Sequence, residues 1–380
     1  MTDASPLALY VHWPFCVSKC PYCDFNSHVR ESVDQQAWRA AMLADLAHEA
    51  AALPGRRLGS IFFGGGTPSL MPPETVAAVI EAAERHWGFE PGIEITLEAN
   101  PSSVEAARFA DLASAGVNRV SLGLQALDDD ALVFLGRAHG VDEGLGALET
   151  AQAAFGRVSF DLIYARPDQT LAGWTAELER AIGFGTEHLS LYQLTIEPGT
   201  RFATLFEKGE LQAYDPDAAA DLFEATRAIT AAAGLPAYEI SNHARPGAES
   251  RHNLTYWRYG DYAGVGPGAH GRRAGLATLR RKKPENWIAA IDRNGHGIER
   301  EDALAPQEQA VEALLMGLRL GEGVDLARIE ALTHTPLPLD ARALEQLEAQ
   351  GLASRTGRRL AVTETGMPVL EAILRELVLA

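Results

Sequence analysis

The stretch Tyr10-Val11-His12-Trp13-Pro14-Phe15-Cys16-Val17-Ser18-Lys19-Cys20-Pro21-Tyr22-Cys23-Asp24-Phe25 holds all three cysteines of a 380-residue chain within eight positions. The apolar run at 7–13 reads as a strand, so the thiols sit on the loop leaving its carboxyl end. Three thiolates folded toward one point can hold three irons of a 4Fe-4S cluster and leave the fourth iron open. Structural zinc closes its tetrahedron with four protein ligands, usually in two separated pairs, so zinc here would have to borrow His12 or His28. Packing cysteines scatter along a chain. Three together with none elsewhere read as a ligand set: Cys16, Cys20 and Cys23.

Outward from this loop, short β-branched-rich runs recur at 60–63, 93–97, 119–124, 158–163 and 188–194, each followed by a helical stretch. Helix signals include Pro72-Pro73 ahead of 74–87, a capping box of Ser102 and Glu105, apolar Trp38, Met42, Leu46 and Leu53 at helical spacing, and Gly116 and Gly234 as stops. The alternation predicts an α/β chain whose parallel sheet has right-handed crossovers. Six units are too few for the eight-stranded barrel and predict an open, partial (β/α)6 barrel of the TIM type. The cysteine loop follows strand one, Gly64-Gly65-Gly66-Thr67-Pro68 follows strand two, and Glu98, Gln125, Asp161 and Gln193 fall near the carboxyl ends of strands three to six. Such barrels build their active sites on that face.

The pattern changes after about residue 280, giving an expected division into a barrel domain at 1–280, with the cluster and its site, and a smaller C-terminal helical, winged-helix-like domain at 281–380. Helices are expected at 308–320, 326–332 and 341–352, then a hairpin around Gly357 and a last helix. The would-be recognition helix carries Glu345 and Glu348 against Arg342, which opposes DNA binding. Packing on the barrel or contact with a protein partner suits it better.

Composition narrows the classes further. With 47% hydrophobic and 22% charged residues the chain is an ordinary globular protein. A net charge of −18 opposes nucleic acid and anionic membrane surfaces. Arg280-Arg281-Lys282-Lys283 reads as a solvated linker or a local anion patch. No leader pattern precedes Pro6, and no run approaches the roughly 18 apolar residues of an integral membrane segment. The expected location is cytoplasmic, where thiols ligate metal and do not pair.

The cysteine spacing together with the glycine run resembles the radical S-adenosylmethionine (SAM) superfamily. Within it the chain is similar to the coproporphyrinogen dehydrogenase and haem chaperone HemW group, through Gln125, Arg137, Asp161-Leu162-Ile163-Tyr164, His252-Asn253-Leu254-Thr255-Tyr256-Trp257 and Gly264-Val265-Gly266-Pro267-Gly268. The resemblance implies a radical SAM barrel with two cofactors, a 4Fe-4S cluster and S-adenosyl-L-methionine chelated at the open iron. It implies cofactor contacts from Tyr10, Tyr22, Gly65, Gly66, Thr67, Glu98, Gln125, Arg137 and Asp161. Carboxylates can accept from ribose hydroxyls or the amino group, and Arg137 offers a rigid fork of donors for the carboxylate.

Two readings follow from the resemblance. The coproporphyrinogen enzymes carry a fourth cysteine two positions after the third, and a longer N-terminal region; here Phe25 stands at that position and the chain starts nine residues before Tyr10. Both departures favour a haem chaperone that binds haem as cargo and transfers it to an apo-haemoprotein acceptor, in the first place a respiratory one. His252 can offer a nitrogen to iron, and Tyr256 and Trp257 a porphyrin face. Dimerisation as a homodimer, gating of haem transfer and a radical step are the roles open to the cluster, so enzyme activity stays open. The alternative is an oxygen-independent coproporphyrinogen III dehydrogenase, which decarboxylates propionates oxidatively to vinyls.

Overall fold

The computed structural model describes residues 6–30 and 32–379; residues 1–5, where the sequence shows no leader pattern, lie outside them. The expected strands form β1 (Leu7–Trp13), β2 (Leu58–Gly65), β3 (Phe89–Ala99), β4 (Arg119–Gln125), β5 (Arg157–Tyr164) and β6 (His188–Gln193). They pair in chain order and all run parallel. Parallel neighbours require crossovers, and helices supply them: Gln35–Ala52 after β1, Pro73–Trp87 after β2, Val141–Ala154 after β4 and Leu171–Ile182 after β5. Strands covered by helices on one side and by the barrel interior on the other are buried on both faces. That is why β1 reads as an almost unbroken apolar run.

Local chemistry sets the helix ends. Asp34 accepts from the Gln36 and Ala37 amides, Ser102 from that of Glu105 and Thr170 from that of Gly173. Trp38, Met42 and Leu46 all turn inward, and Trp38 stacks on Trp287 with ring centroids 5.1 Å apart.

The sheet extends past the six expected strands. A seventh, β7 (Tyr262–Val265), runs parallel to β1 on its free edge, with Ala8 opposite Tyr262 and Val11 opposite Val265. Antiparallel β8 (His270–Arg273), β9 (Leu276–Arg280) and β10 (Ile298–Ala303) continue it, and Asn242–Ala244 covers the far edge of β6. The run at 280–283 is not a solvated linker at its start. Arg280 is wholly buried, with its guanidinium 2.6 Å from Asp45 and 2.8 Å from Glu49 on the first helix.

The C-terminal lobe has its own core of Leu314, Ile329, Leu344, Leu360 and Leu374. Helices Pro306–Gly317, Leu326–Thr333 and Ala341–Ala349 precede the hairpin Ala353–Thr356 and Arg359–Val362, to which Val324–Asp325 adds a third strand. Three helices and a hairpin make the winged-helix-like shape expected. Ion pairs Arg258–Glu322, Arg227–Glu364 and Arg272–Glu312 tie the lobe to the barrel. Among the described residues no helix is long and apolar enough to cross a membrane.

Candidate functional site

At the carboxyl end of β1 the chain enters a two-residue pairing of Phe15–Cys16 with His28–Val29, which closes the cysteine loop at its base. The loop after β2 zips onto it: the Gly66 amide donates to the Trp13 carbonyl at 2.7 Å and the Thr67 amide to that of Phe15 at 2.8 Å. This approach leaves no room for side chains. A Cβ on Gly66 would stand 2.7 Å from the Phe15 oxygen and 3.0 Å from Cys16 Sγ, and one on Gly65 would stand 2.6 Å from the His12 ring.

All three thiols are half-buried and lie near one another. Arg137 donates to Cys20 Sγ at 3.3 Å, the hydroxyls of Thr67 and Ser27 face Cys16, and the Phe25 amide and Ser27 hydroxyl face Cys23. Burial, followed by the neighbouring thiols, raises the pKa of Cys16 and Cys23. A bound cation would reverse that shift, because a coordinating thiol loses its proton. Crowded thiols ringed by donors to sulfur suit cluster thiolates, whose electronics such donors tune. Among the described residues no three His, Cys, Asp or Glu side chains gather as ligands of one ion. A cluster presents three separate irons, so its thiolates need not converge on a single centre. His12 and His28 are engaged elsewhere: His12 Nε2 donates to the Asn26 carbonyl at 2.9 Å while Nδ1 accepts from the Tyr10 hydroxyl at 2.9 Å, and His28 bonds the Asn26 side chain. Burial pushes His12 down to about 4, which keeps it neutral.

Glu98 and Asp161 lie near each other on β3 and β5, Glu98 next to the glycine run. Glu98 accepts from the Gly65 amide at 3.1 Å, and Asp161 from Ser121 at 3.3 Å. Burial, then the Asp161 charge, pushes Glu98 up to about 8; burial pushes Asp161 up to about 6. At the end of β4, Gln125 adopts φ 68°, where the β4–β5 register slips, and a Cβ on Gly123 would stand 2.6 Å from Gln125 Nε2. A left-handed glutamine at this strand end is backbone strain beside the candidate site. Arg137 binds the Gly123 carbonyl at 3.1 Å and Asn100 Oδ1 at 2.6 Å, and Asn100 passes the contact on to Thr67 at 3.1 Å.

The raised carboxyls make a pH prediction. A folded pKa above the unfolded one contributes stability that is complete below the unfolded value and is lost as pH rises through the folded one. Above about pH 7 the buried histidines are nearly all neutral in both states, so the slope from about pH 7 to 8 comes from Glu98 together with the onset of the raised Cys16 and Cys23 thiols, and the Glu98 part is what Glu98→Gln removes. The unfolding temperature of the ligand-free protein should fall across that window and fall less in Glu98→Gln. Equal slopes would refute the Glu98 shift.

Tyr22, Gly65, Gly66, Thr67, Glu98, Gln125, Arg137 and Asp161 thus face one pole with the cysteines, while Tyr10 sits inside the barrel, its hydroxyl on His12 and its ring 6.3 Å from that of His252. Sequence reasoning missed Asn100, which links Arg137 to Thr67, and Asn26, whose amide donates to the Pro267 carbonyl at 2.9 Å and ties the cysteine loop to the end of β7. Asn100 precedes Pro101 at a strand end, a signal that was available.

His252, Tyr256 and Trp257 lie elsewhere. Their helix, Arg251–Trp257, plugs the amino end of the barrel. His252 is 1% exposed, with Nδ1 3.0 Å from Ser60 Oγ, Nε2 2.6 Å from the Tyr256 hydroxyl and its ring stacked 4.9 Å from Phe62. Burial, then Arg119, pushes it down to about 3. Both nitrogens are committed, so binding iron would require giving up the Tyr256 bond. Trp257 instead faces the C-terminal lobe, where the Arg319 guanidinium lies 5.0 Å from its ring centroid.

An open parallel barrel with three thiols and a glycine run at its carboxyl pole defines a radical SAM domain, and the pattern of the Radical SAM superfamily matches residues 10–180. That of the HemN C-terminal domain matches residues 304–369. The chain is 38% identical to the heme chaperone HemW of Escherichia coli over the whole of both. It is 41% identical to the mitochondrial radical S-adenosyl methionine domain-containing protein 1 of Bos taurus, over 97% of this chain and 87% of that one. The chain belongs to the HemW family of the radical SAM superfamily. Its fold matches the coproporphyrinogen III oxidase HemN of Escherichia coli with a TM-score of 0.81, at 22% identity, over 97% of this chain and 89% of that one.

Proposed function

We propose that this chain binds haem in the cytoplasm and passes it to apo-haemoproteins, respiratory ones among them, while carrying a 4Fe-4S cluster on Cys16, Cys20 and Cys23 with S-adenosylmethionine beside it. The observation that carries the reading is the end-to-end similarity to the Escherichia coli heme chaperone HemW. Phe25 supports it from within the site, standing 60% exposed two residues beyond Cys23, where the coproporphyrinogen enzymes carry a further thiol.

Bound at the pole, the cluster and S-adenosylmethionine would supply one-electron chemistry. The chain's residues bind and orient. The Arg137 fork suits a carboxylate, Glu98 and Asp161 suit hydroxyl or amino donors, and the bare Gly65 and Gly66 backbone lets a ligand come close. Haem would be held by the helix Arg251–Trp257, with Trp257 as the aromatic face.

The test is anaerobic. Protein with a reconstituted cluster is titrated with haem, followed by its Soret band, and then mixed with apomyoglobin as acceptor. Saturable binding and transfer are expected, without conversion of coproporphyrinogen III when S-adenosylmethionine and reductant are added. Stoichiometric protoporphyrinogen from a protein that binds no haem would overturn the reading in favour of the dehydrogenase.

A further inference from the structure

At the amino end of the barrel, opposite the thiols, a cleft of about 660 Å³ separates the starts of β2 and β3 from the C-terminal lobe. Its size falls within the roughly 300–1,000 Å³ of small-molecule and cofactor pockets. Leu254 and Trp257 of the helix Arg251–Trp257 supply apolar surface from one side, and Leu320, Val324 and Ile329 of the lobe from the other.

Four arginines line the same cleft: Arg251, Arg258, Arg328 and Arg359. Arg258 is neutralised by Glu322, which it binds through two nitrogens at 2.7 and 2.9 Å. The other three each spend one N–H on a backbone carbonyl: Arg251 on Gly92 at 2.7 Å, Arg328 on Arg258 at 2.7 Å and Arg359 on Glu322 at 2.8 Å. These bonds aim the exposed guanidiniums, and among the described residues none of the three forms an ion pair with a carboxylate, though the charge of Glu322, paired with Arg258, is also felt by Arg359 and Arg328. The acids on the rim are committed: Glu322 to Arg258, Glu90 to Arg57, and Asp325 to the first amides of helix Leu326–Thr333. In a chain of net charge −18, three uncommitted guanidiniums around one apolar slot fit a flat apolar ligand that carries carboxylates.

We propose that this cleft seats the haem cargo, with the porphyrin against Leu254, Trp257 and the lobe and its two propionates on Arg251, Arg328 and Arg359. The inference rests on the haem reading above and names its site. Recognition runs through the edge and face of the porphyrin and not through iron. Among the described residues no His, Cys or Met lines the cleft, and the Tyr259 hydroxyl donates to Glu312 at 2.9 Å. Iron without a strong protein ligand stays open to the ligand of an acceptor, which suits a carrier that must release its load.

The test titrates the full chain with haem, metal-free protoporphyrin IX and protoporphyrin IX dimethyl ester, reading tryptophan quenching and porphyrin absorbance. The two diacids should bind within about tenfold of each other, and the diester more than tenfold more weakly. The double variant Arg328→Glu, Arg359→Glu should lose about a hundredfold in affinity for both diacids. Its reconstituted cluster, at the other pole, controls for folding, and Arg328→Gln with Arg359→Gln gives a milder version of the same loss. Unchanged haem affinity in the charge-reversed protein overturns the cleft. So does haem binding without binding of metal-free porphyrin, which would point to iron ligation by His252. Arginine-dependent binding of metal-free porphyrin with no haem binding would leave the cleft standing and remove the haem reading.

Discussion

Cys20→Ala should strip the reconstituted protein of nearly all its visible cluster absorbance, with bound iron and sulfide falling to near background. Each thiolate in a three-cysteine set holds its own iron, so loss of one leaves two ligands for a cluster that needs three. Cys20 is also the thiol that Arg137 reaches, at 3.3 Å, and that guanidinium keeps its bonds to Asn100 and Gly123 when the sulfur is gone. The fold should therefore survive, with an unchanged circular dichroism spectrum. Undiminished iron and sulfide in Cys20→Ala would remove the ligand assignment, and with it the reading of the carboxyl pole.

Asp45→Ala should destabilise the fold strongly. Asp45 is wholly buried and accepts from Arg280 at 2.6 Å, Trp287 Nε1 at 3.3 Å and the amides of Gly297 and Gly266 at 3.0 and 3.1 Å. Truncation leaves the buried guanidinium with Glu49 alone and orphans three further donors. Breaking a buried pair costs about 3–5 kcal/mol, a large share of the roughly 5–15 kcal/mol that holds a domain folded. At roughly 2–4 °C per kcal/mol the unfolding temperature should drop by about 6–20 °C. A drop of less than about 2 °C would show that the network is not what fastens the added strands. The consequence reaches the site, because Gly266 precedes Pro267, whose carbonyl holds Asn26 and so the cysteine loop. The variant should also lose its cluster faster on exposure to chelator.

Much of the fold was legible because it is written locally. The six strand runs are apolar because they are buried on both faces, and the helix starts are marked by Asp34, Ser102 and Thr170 within three residues of the amides they cap. β7 escaped because Tyr262–Val265 is four residues long and its partner β1 lies some 250 positions earlier. The Arg280 run misled for the same reason: its neutralising acids are on the first helix, at positions where an amphipathic reading expects either solvent or apolar residues.

By itself the sequence determined the three-thiol loop, the glycine run beside it, the alternation of strands and helices, and hence which residues would crowd the carboxyl pole. Those follow from spacing within a few residues and from period-2 and 3.6-residue patterns, which need no knowledge of the rest of the chain. Only the tertiary structure decided that His252 points into the barrel and bonds Ser60 and Tyr256, that Asn26 and Asn100 brace the thiol loop, and that three arginines from distant segments share one cleft with Trp257. Each depends on contacts between segments tens to hundreds of residues apart, and neither the burial that keeps His252 neutral nor the meeting of three exposed guanidiniums in one cleft exists until those segments have packed.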